Sequence, residues 1–231
     1  MKIISYNISD SAQWKIDRLL EMAADVLVVP EIACVEDVNL PDCLEMAWNG
    51  ITWEYSGKLK SKGLGIIWKK GHGHIASWHN PELYYAIPLI VDGVLILGFW
   101  PTKRRGLTDK MKYPQIAQQI IKEYLPHFSE QPTVIIGDFN CYVNQSDKSK
   151  AFGDIRQVND LLESAGLYSV YHKLTKESLG HESQATYYHL FKPHMPFMID
   201  YAYSNIEVES FRLLEADLKM SDHVGLEFVL K

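Results

Sequence analysis

The chain has 231 residues, 47% hydrophobic, 23% charged and 12% aromatic, a globular composition with ample apolar material for a core. Its formal net charge of −6 at pH 7 excludes a strongly basic nucleic-acid coat protein. No Ser/Gly/Pro-rich linker, low-complexity tract or short-period repeat interrupts it, so a single domain over residues 1–231 is expected.

The opening MKIISYNISD lacks the apolar core of roughly 7–15 residues that a secretory signal needs. The most apolar run, VLILGFW (94–100), falls short of the ~20 residues that cross a bilayer. Cys34, Cys43 and Cys141 are odd in number and lack paired metal-ligand spacing, so they are expected as reduced, packed thiols. A cytoplasmic protein without a membrane anchor is the expectation.

In chain order, IISYN reads as a strand that finishes at Asn7. A helix follows, with Ser11 as its expected N-cap and Ile16, Leu19, Leu20 and Ala23 at i, i+3, i+4, i+7 on one apolar face. VLVV (26–29) is a short strand ending in Pro30 and Glu31. Next comes a lysine-rich stretch, residues 58–70, with Lys58, Lys60, Lys62, Lys69 and Lys70 and no acid; GLGIIWKK inside it reads as a strand. LYYAIPLIVDGVLILGFW predicts a hairpin turning near Asp92-Gly93. A second basic stretch, 103–112, holds five bases against Asp109. Each basic stretch alone reads as a solvated loop; two of them beside an acidic body also offer phosphate attraction.

YPQIAQQIIKEYL predicts a second helix with Ala117, Ile120, Ile121 and Tyr124 inward, and TVIIGDFN (133–140) the strand after it. IRQVNDLLESAG predicts a third helix closed by Gly166. After LYSVY, MIDYAYS and HVGLEFVL read as strands. His72 and His74 fall in a glycine-flanked turn, and His189 and His194 in a surface loop. Trp48, Trp53, Trp68, Trp78 and Trp100 are expected in core or loop packing, with Trp100 near the end of its strand. Helices grouped with strand runs, rather than strict βαβ alternation, predict an α+β protein with sheets packed face to face under flanking helices.

The strand ends carry the chemistry. Asn7, Glu31, Asp138 with Asn140, Asp200, and Asp222 with His223 place four carboxylates, two amides and an imidazole at five of them. Any one alone is an ordinary turn residue. Oxygen donors without paired thiols suit a hard cation such as Mg²⁺, with Mn²⁺ as a substitute. A bound divalent ion polarises a phosphoryl oxygen, a second carboxylate acts as general base, and a carboxylate-held histidine stabilises transition-state charge. These residue types suit metal-assisted hydrolysis of a phosphate ester and leave diester and monoester open.

SYN, PE, GDFN, TYY, IDYAYSN and SDH follow one another along nearly the whole chain. In that order they resemble the endonuclease/exonuclease/phosphatase superfamily, which contains deoxyribonuclease I and exonuclease III. The resemblance implies a four-layer α/β/β/α sandwich of two mixed, mainly antiparallel sheets. It also implies that Glu31 is the principal Mg²⁺ ligand with Asn7 beside it, and that Asp222 is a further carboxylate on the metal side. Asp138 would activate water, Asn140 hold a phosphate oxygen, and His223 contact the scissile phosphate, oriented by Asp200. Many members carry a histidine or tyrosine after the strand matching LILGFW. This chain reads Phe99-Trp100-Pro101-Thr102 there, so Trp100, Lys103, Arg104, Arg105 and Tyr113 are the candidate substrate-binding residues. Three functions follow in order of preference: a Mg²⁺-dependent nuclease on DNA or RNA, a hydrolase of a small or lipid-linked phosphate, and an inactive binding module.

Overall fold

The computed structural model describes residues 1–104, 106–143 and 154–231. Runs such as Val26–Val29 and Val134–Ile136 are hydrophobic at every position, so both faces of those strands need cover. The chain meets this with two six-stranded sheets stacked between helices.

The first half supplies β1 (Lys2–Ser5), α1 (Gln13–Leu20), β2 (Val26–Ile32), β3 (Leu44–Tyr55), β4 (Lys58–Lys69), β5 (Gly73–Ile75), β6 (Ala86–Val91) and β7 (Val94–Phe99). The second half supplies α2 (Tyr113–Tyr124), β8 (Thr133–Asp138), α3 (Arg156–Ser164), β9 (Tyr168–Ser169) and α4 (Val170–Thr175). It ends with β10 (Tyr187–Tyr188), β11 (Pro196–Phe197), β12 (Asp200–Ser204), β13 (Val208–Leu213) and β14 (Leu226–Leu230). One sheet has the order β13-β14-β1-β2-β4-β3 and the other β5-β6-β7-β8-β12-β9, with β10 and β11 a separate pair. Each sheet is antiparallel except for one central parallel pair, β1/β2 or β7/β8. A helix, α1 or α2, lies in the crossover that each parallel pair needs.

Alternation sorts the side chains into three apolar layers. Ile3, Val26, Val28, Ile66, Ile96, Val134, Ile136 and Ala202 meet between the sheets. Their neighbours Ile4, Leu27, Val29 and Ile67 face α1, while Leu95, Leu97, Ile135, Tyr201 and Tyr203 face α2 and α3. This is the predicted α+β sandwich of two mixed sheets.

Several local expectations are corrected. Ala12, not Ser11, occupies the N-cap of α1, and its side chain makes no capping bond. The entry is held instead by the Lys15 ammonium, which donates to the Ile8 and Asp10 carbonyls at 2.6 and 3.0 Å. Residues 58–62 are not a loop: they start β4 and pair with the far end of β3, a strand unmarked in the sequence reading. Trp53 is 38% exposed on that strand, and Cys43 is exposed while Cys34 and Cys141 are buried. Helix α4 is an addition. The expected faces of α2 and the Gly166 stop hold: all four α2 residues are buried. Gly166 (φ 81°) and Leu167 donate back to the Glu163 and Leu162 carbonyls. No helix among the described residues is long and apolar enough to cross a membrane.

Gly137 fixes the strand that delivers Asp138. A Cβ there would lie 1.8 Å from the Phe99 carbonyl oxygen on β7, and the residue has φ 153°. Gly137→Ala is therefore expected to destabilise the fold by about 3 kcal/mol or more in urea denaturation; a loss under about 1 kcal/mol would contradict this packing.

Candidate active site

The site sits where the same ends of both sheets meet. β1 leads to Asn7 and β2 carries Glu31, both in the first sheet, while β8 and β12 bring Asp138 and Asp200 from the second. Asp138 and Asp200 are directly opposite each other in the β8/β12 register. Two carboxylates side by side and almost wholly buried are costly unless something bridges or protonates them.

His223 is the bridge. Its Nδ1 lies 2.9 Å from Asp200 Oδ2, and its Nε2 lies 3.9 Å from Asp138 Oδ2, too long for a hydrogen bond. The imidazole is 4% exposed. Burial by itself would lower its pKa, but the charges of Asp200 and Asp138 and the bond to Asp200 raise it to about 9. Asp138 is pushed up to about 7, first by burial and then by the Asp200 charge, against the opposing pull of His223. A protonated imidazole thus faces a carboxyl that titrates near neutrality, across a gap that either could close through a shared oxygen.

The neighbours hold this pair in place. Asn7 Nδ2 donates to Asp138 Oδ2 at 3.0 Å and makes a longer 3.4 Å contact to Glu31 Oε1. The Asn7 side-chain oxygen accepts the Ser9 N–H at 2.8 Å, which sets the amide orientation. Asp138 Oδ1 accepts the Asn140 N–H at 2.8 Å, made possible by the left-handed backbone of Asn140 (φ 53°). Thr186 Oγ1 accepts both the Ile199 and Asp200 N–H groups, at 3.1 and 3.0 Å. Ser221 Oγ bonds the Asn7 carbonyl and the His223 N–H, at 2.6 and 3.0 Å. Asp222 accepts Ser9 Oγ–H at 2.6 Å.

Glu31 reaches the site through a bulge. Pro30 pairs with Leu64 and Ile32 with Gly63, leaving Glu31 as the extra residue with φ 66°. The bulge keeps Val29 and Ile32 both on the helix side and turns the carboxylate toward Asn7. There it accepts Lys62 Nζ at 2.5 Å.

Three of these neighbours were not expected in the acid cluster: Ser9, Tyr187, which the sequence marks only within TYY, and Lys62, which it marks only as part of a basic stretch. The Tyr187 ring lies 4.7 Å from that of His223, in register with it through a bridge. Burial first, then the charges of Asp222, Asp138, Glu31 and Asp200, push the Tyr187 phenol up to about 12. Its ring also lines a cavity of about 210 Å³ with Phe197, Ile199 and His189. Trp100 is packed between the sheets, edge-on to Tyr85 at 4.9 Å. Arg104 lies over Tyr84 at 3.5 Å, and exposed Lys103 lies 5.6 Å from the Tyr113 ring. Tyr113 is half-buried, its pKa raised by burial and by the Asp138 charge. Arg105 lies outside the described residues.

Glu31, Asp138, Asp200 and Asp222 surround one aromatic ring, so the site holds an excess of negative charge that a cation would relieve. Oxygen donors dominate and no thiolate is among them, which fits a hard divalent ion. Asp138, Asp200 and His223 have ligand atoms within 4.8 Å of one another. The Asp200 bond already occupies His223 Nδ1, so the open carboxylate side toward Glu31 fits a hard ion better.

No protein-family model and no curated protein sequence matches the chain. Solved structures do. An endonuclease/exonuclease/phosphatase from Beutenbergia cavernae DSM 12333 is similar with TM-score 0.64 and 13% identity, over 99% of this chain and 70% of that one. An AP endonuclease from Archaeoglobus fulgidus is similar with TM-score 0.67 and 15% identity, over 100% and 99%. A family protein from Leptotrichia buccalis C-1013-b is similar with TM-score 0.62 and 16% identity, over 100% and 99%. The chain shares the fold of these endonuclease/exonuclease/phosphatase proteins, the group that the sequence motifs resemble.

The two titrating groups define a pH dependence for the metal-free protein. His223 binds its proton more tightly folded (about 9) than unfolded (6.5), so its contribution is complete below about pH 6.5 and is lost as pH rises through 9. Asp138, raised from 3.8 to about 7, acts in the same direction at lower pH. In EDTA, unfolding free energy should fall by on the order of 2 kcal/mol between pH 6.5 and 9. Asp200→Asn should flatten that slope. An unchanged slope in the variant would contradict the assignment.

Proposed function

We propose that the chain is a divalent-metal-dependent phosphodiesterase that cleaves nucleic acid by water attack. The observation that carries this reading is the buried Asp138 carboxyl, with a pKa near neutrality, set 3.9 Å from His223 Nε2. A base needs a pKa near the working pH, and an anionic transition state needs a fixed donor; here they face each other across one gap.

Glu31, with Asp222 and Asn7 close to it, would hold the ion, Mg²⁺ by donor type with Mn²⁺ as a substitute. When bound, it supplies Lewis-acid polarisation of the phosphoryl group. Asp138 takes a proton from the attacking water as the water oxygen bonds to phosphorus and the bond to the leaving oxygen breaks. His223, kept in orientation by Asp200, donates its Nε2–H to a non-bridging oxygen. Asn140 Nδ2 makes only a 3.4 Å contact to the Pro101 carbonyl, and a phosphate oxygen would replace that partner. Tyr113, half-buried and near enough to Asp138 to feel its charge, is assigned as the proton donor to the leaving oxygen, although the upward shift makes its phenol a weaker acid. It would fill the role left vacant by the absence of a histidine or tyrosine at Trp100-Pro101. The Tyr187 cavity, about 210 Å³, has room beside the phosphate for a sugar or a base. The Archaeoglobus fulgidus neighbour, an AP endonuclease, lends the nucleic-acid reading further support.

The test is incubation with single-stranded, double-stranded and abasic-site DNA and with RNA, in Mg²⁺ and in EDTA. Cleavage is expected only with metal, and Asp138→Asn should lower kcat by roughly 10²–10⁴-fold. Tyr113→Phe should lower it by a smaller factor while leaving the Mg²⁺-induced rise in Tm intact. Full activity of Asp138→Asn would contradict the mechanism. No cleavage alongside a Mg²⁺-stabilised fold would instead move the substrate to a small or lipid-linked phosphate.

A further inference from the structure

β3 and β4 run on past the edge of the other sheet as a two-stranded ribbon, and every residue from Ile51 to Lys60 is exposed. Residues directly opposite in an antiparallel pair share a face. Ile51 opposes Lys62, Trp53 opposes Lys60 and Tyr55 opposes Lys58, so three lysines and two aromatic rings lie on one face. The ribbon's acid, Glu54, opposes Leu59 on the other.

The root of that face is anchored in the site. Leu64, two residues beyond Lys62, is wholly buried between the sheets, and Lys62 itself bonds Glu31. The lysine row therefore starts on the ribbon and ends at the acid cluster. Gly50 and Gly63 oppose each other at the root, where a Cβ on Gly50 would lie 2.5 Å from Gly63 Cα. The Trp48 ring covers both glycines, and its Nε1–H donates to the Ile32 carbonyl at 3.2 Å. The ribbon thus leaves the sheet from a closely packed base.

We propose that this face is a platform for an unpaired stretch of nucleic acid that leads the strand toward Asp138. This rests on the nuclease reading of the site and narrows it to single-stranded or locally unpaired substrates. Trp53 is 38% and Tyr55 61% exposed, large rings with unburied surface. Rings of this kind bind bases through their π-faces, which a duplex hides within its own stack. Lysines at alternate positions, about 6.8 Å apart along a strand, supply the phosphate contacts that stacking alone lacks. Lys60 Nζ already lies 4.9 Å from the Tyr55 ring centroid, so charge and ring are presented together. A membrane fits less well. Tyr55 flanks the Ser56-Gly57 tip, but Lys58 opposes Tyr55 and Lys60 opposes Trp53, so each ring that would enter a bilayer carries a lysine directly across from it.

The test uses the full chain in EDTA, so that binding is read without cleavage. Fluorescence anisotropy of a labelled oligothymidylate should give tighter binding than a duplex of equal length. Trp53→Ala/Tyr55→Ala should weaken oligothymidylate binding by roughly tenfold or more. Lys58→Ala/Lys60→Ala should lower the log–log salt slope by roughly 1.4. Hydrolysis of bis(p-nitrophenyl) phosphate in Mg²⁺, a substrate too small to reach the ribbon, should stay at the wild-type rate in both variants. Unchanged oligonucleotide affinity in the aromatic variant, or a wild-type preference for duplex, would overturn the platform. So would binding to phosphatidylserine vesicles that the aromatic variant loses while its oligonucleotide affinity stays intact. A wild-type protein that fails to hydrolyse the small ester counts against the catalytic reading alone, because the affinities are measured without metal.

Discussion

Two hydrogen bonds tie the two sheets together at one rim, Asn7 to Asp138 and His223 to Asp200. Each joins a residue delivered by the first sheet to a carboxylate delivered by the second. They are needed because the β8/β12 register sets Asp138 directly opposite Asp200 in a place almost closed to water. Removing one partner of such a buried pair costs about 3–5 kcal/mol, since the remaining charge loses its compensation. That liability has an electrostatic consequence. The same field that keeps His223 protonated raises Asp138 toward neutrality.

Local backbone departures at the site serve the aim of its side chains. Glu31 and Asn140 both take left-handed conformations, each at a cost on the order of 1–3 kcal/mol. Glu31 gains a direction that regular strand geometry would deny it, because alternation would send the residue after Pro30 toward α1. Asn140 gains the turn that lets its N–H cap Asp138. Three continuous apolar layers surround these points and hold them. The ribbon formed by β3 and β4 extends the same logic outward, with Lys62 as the residue common to the strand pair and the acid cluster.

Much of this was legible in the sequence because strand ends are marked locally. Asn7, Glu31, Asp138, Asn140, Asp200, Asp222 and His223 each follow or precede a β-branched apolar run, and the structure gathers all seven at one rim. What escaped was set by distance. Lys62 reaches Glu31 across a sheet pairing, and Tyr187 meets His223 through a single bridge that no local pattern announces. β3 went unmarked because its apolar positions are broken by Gly50, which is there to let Gly63 approach. α4 spans only Val170–Thr175, too short for a periodic signal. Trp100 is packed in the core as expected, whereas Trp53 is 38% exposed because the far end of β3 and β4 has no cover.

The protonation state of His223 is the most direct test of the proposed site. Imidazole ¹⁵N shifts recorded on the metal-free protein from pH 6 to 10 would read it. A ring that stays doubly protonated until about pH 9, and titrates well below that in Asp200→Asn, is the predicted result. A neutral ring at pH 7.5, losing its proton near 6.5 in both proteins, would contradict it, because Asp138 would then face no fixed cation across the gap.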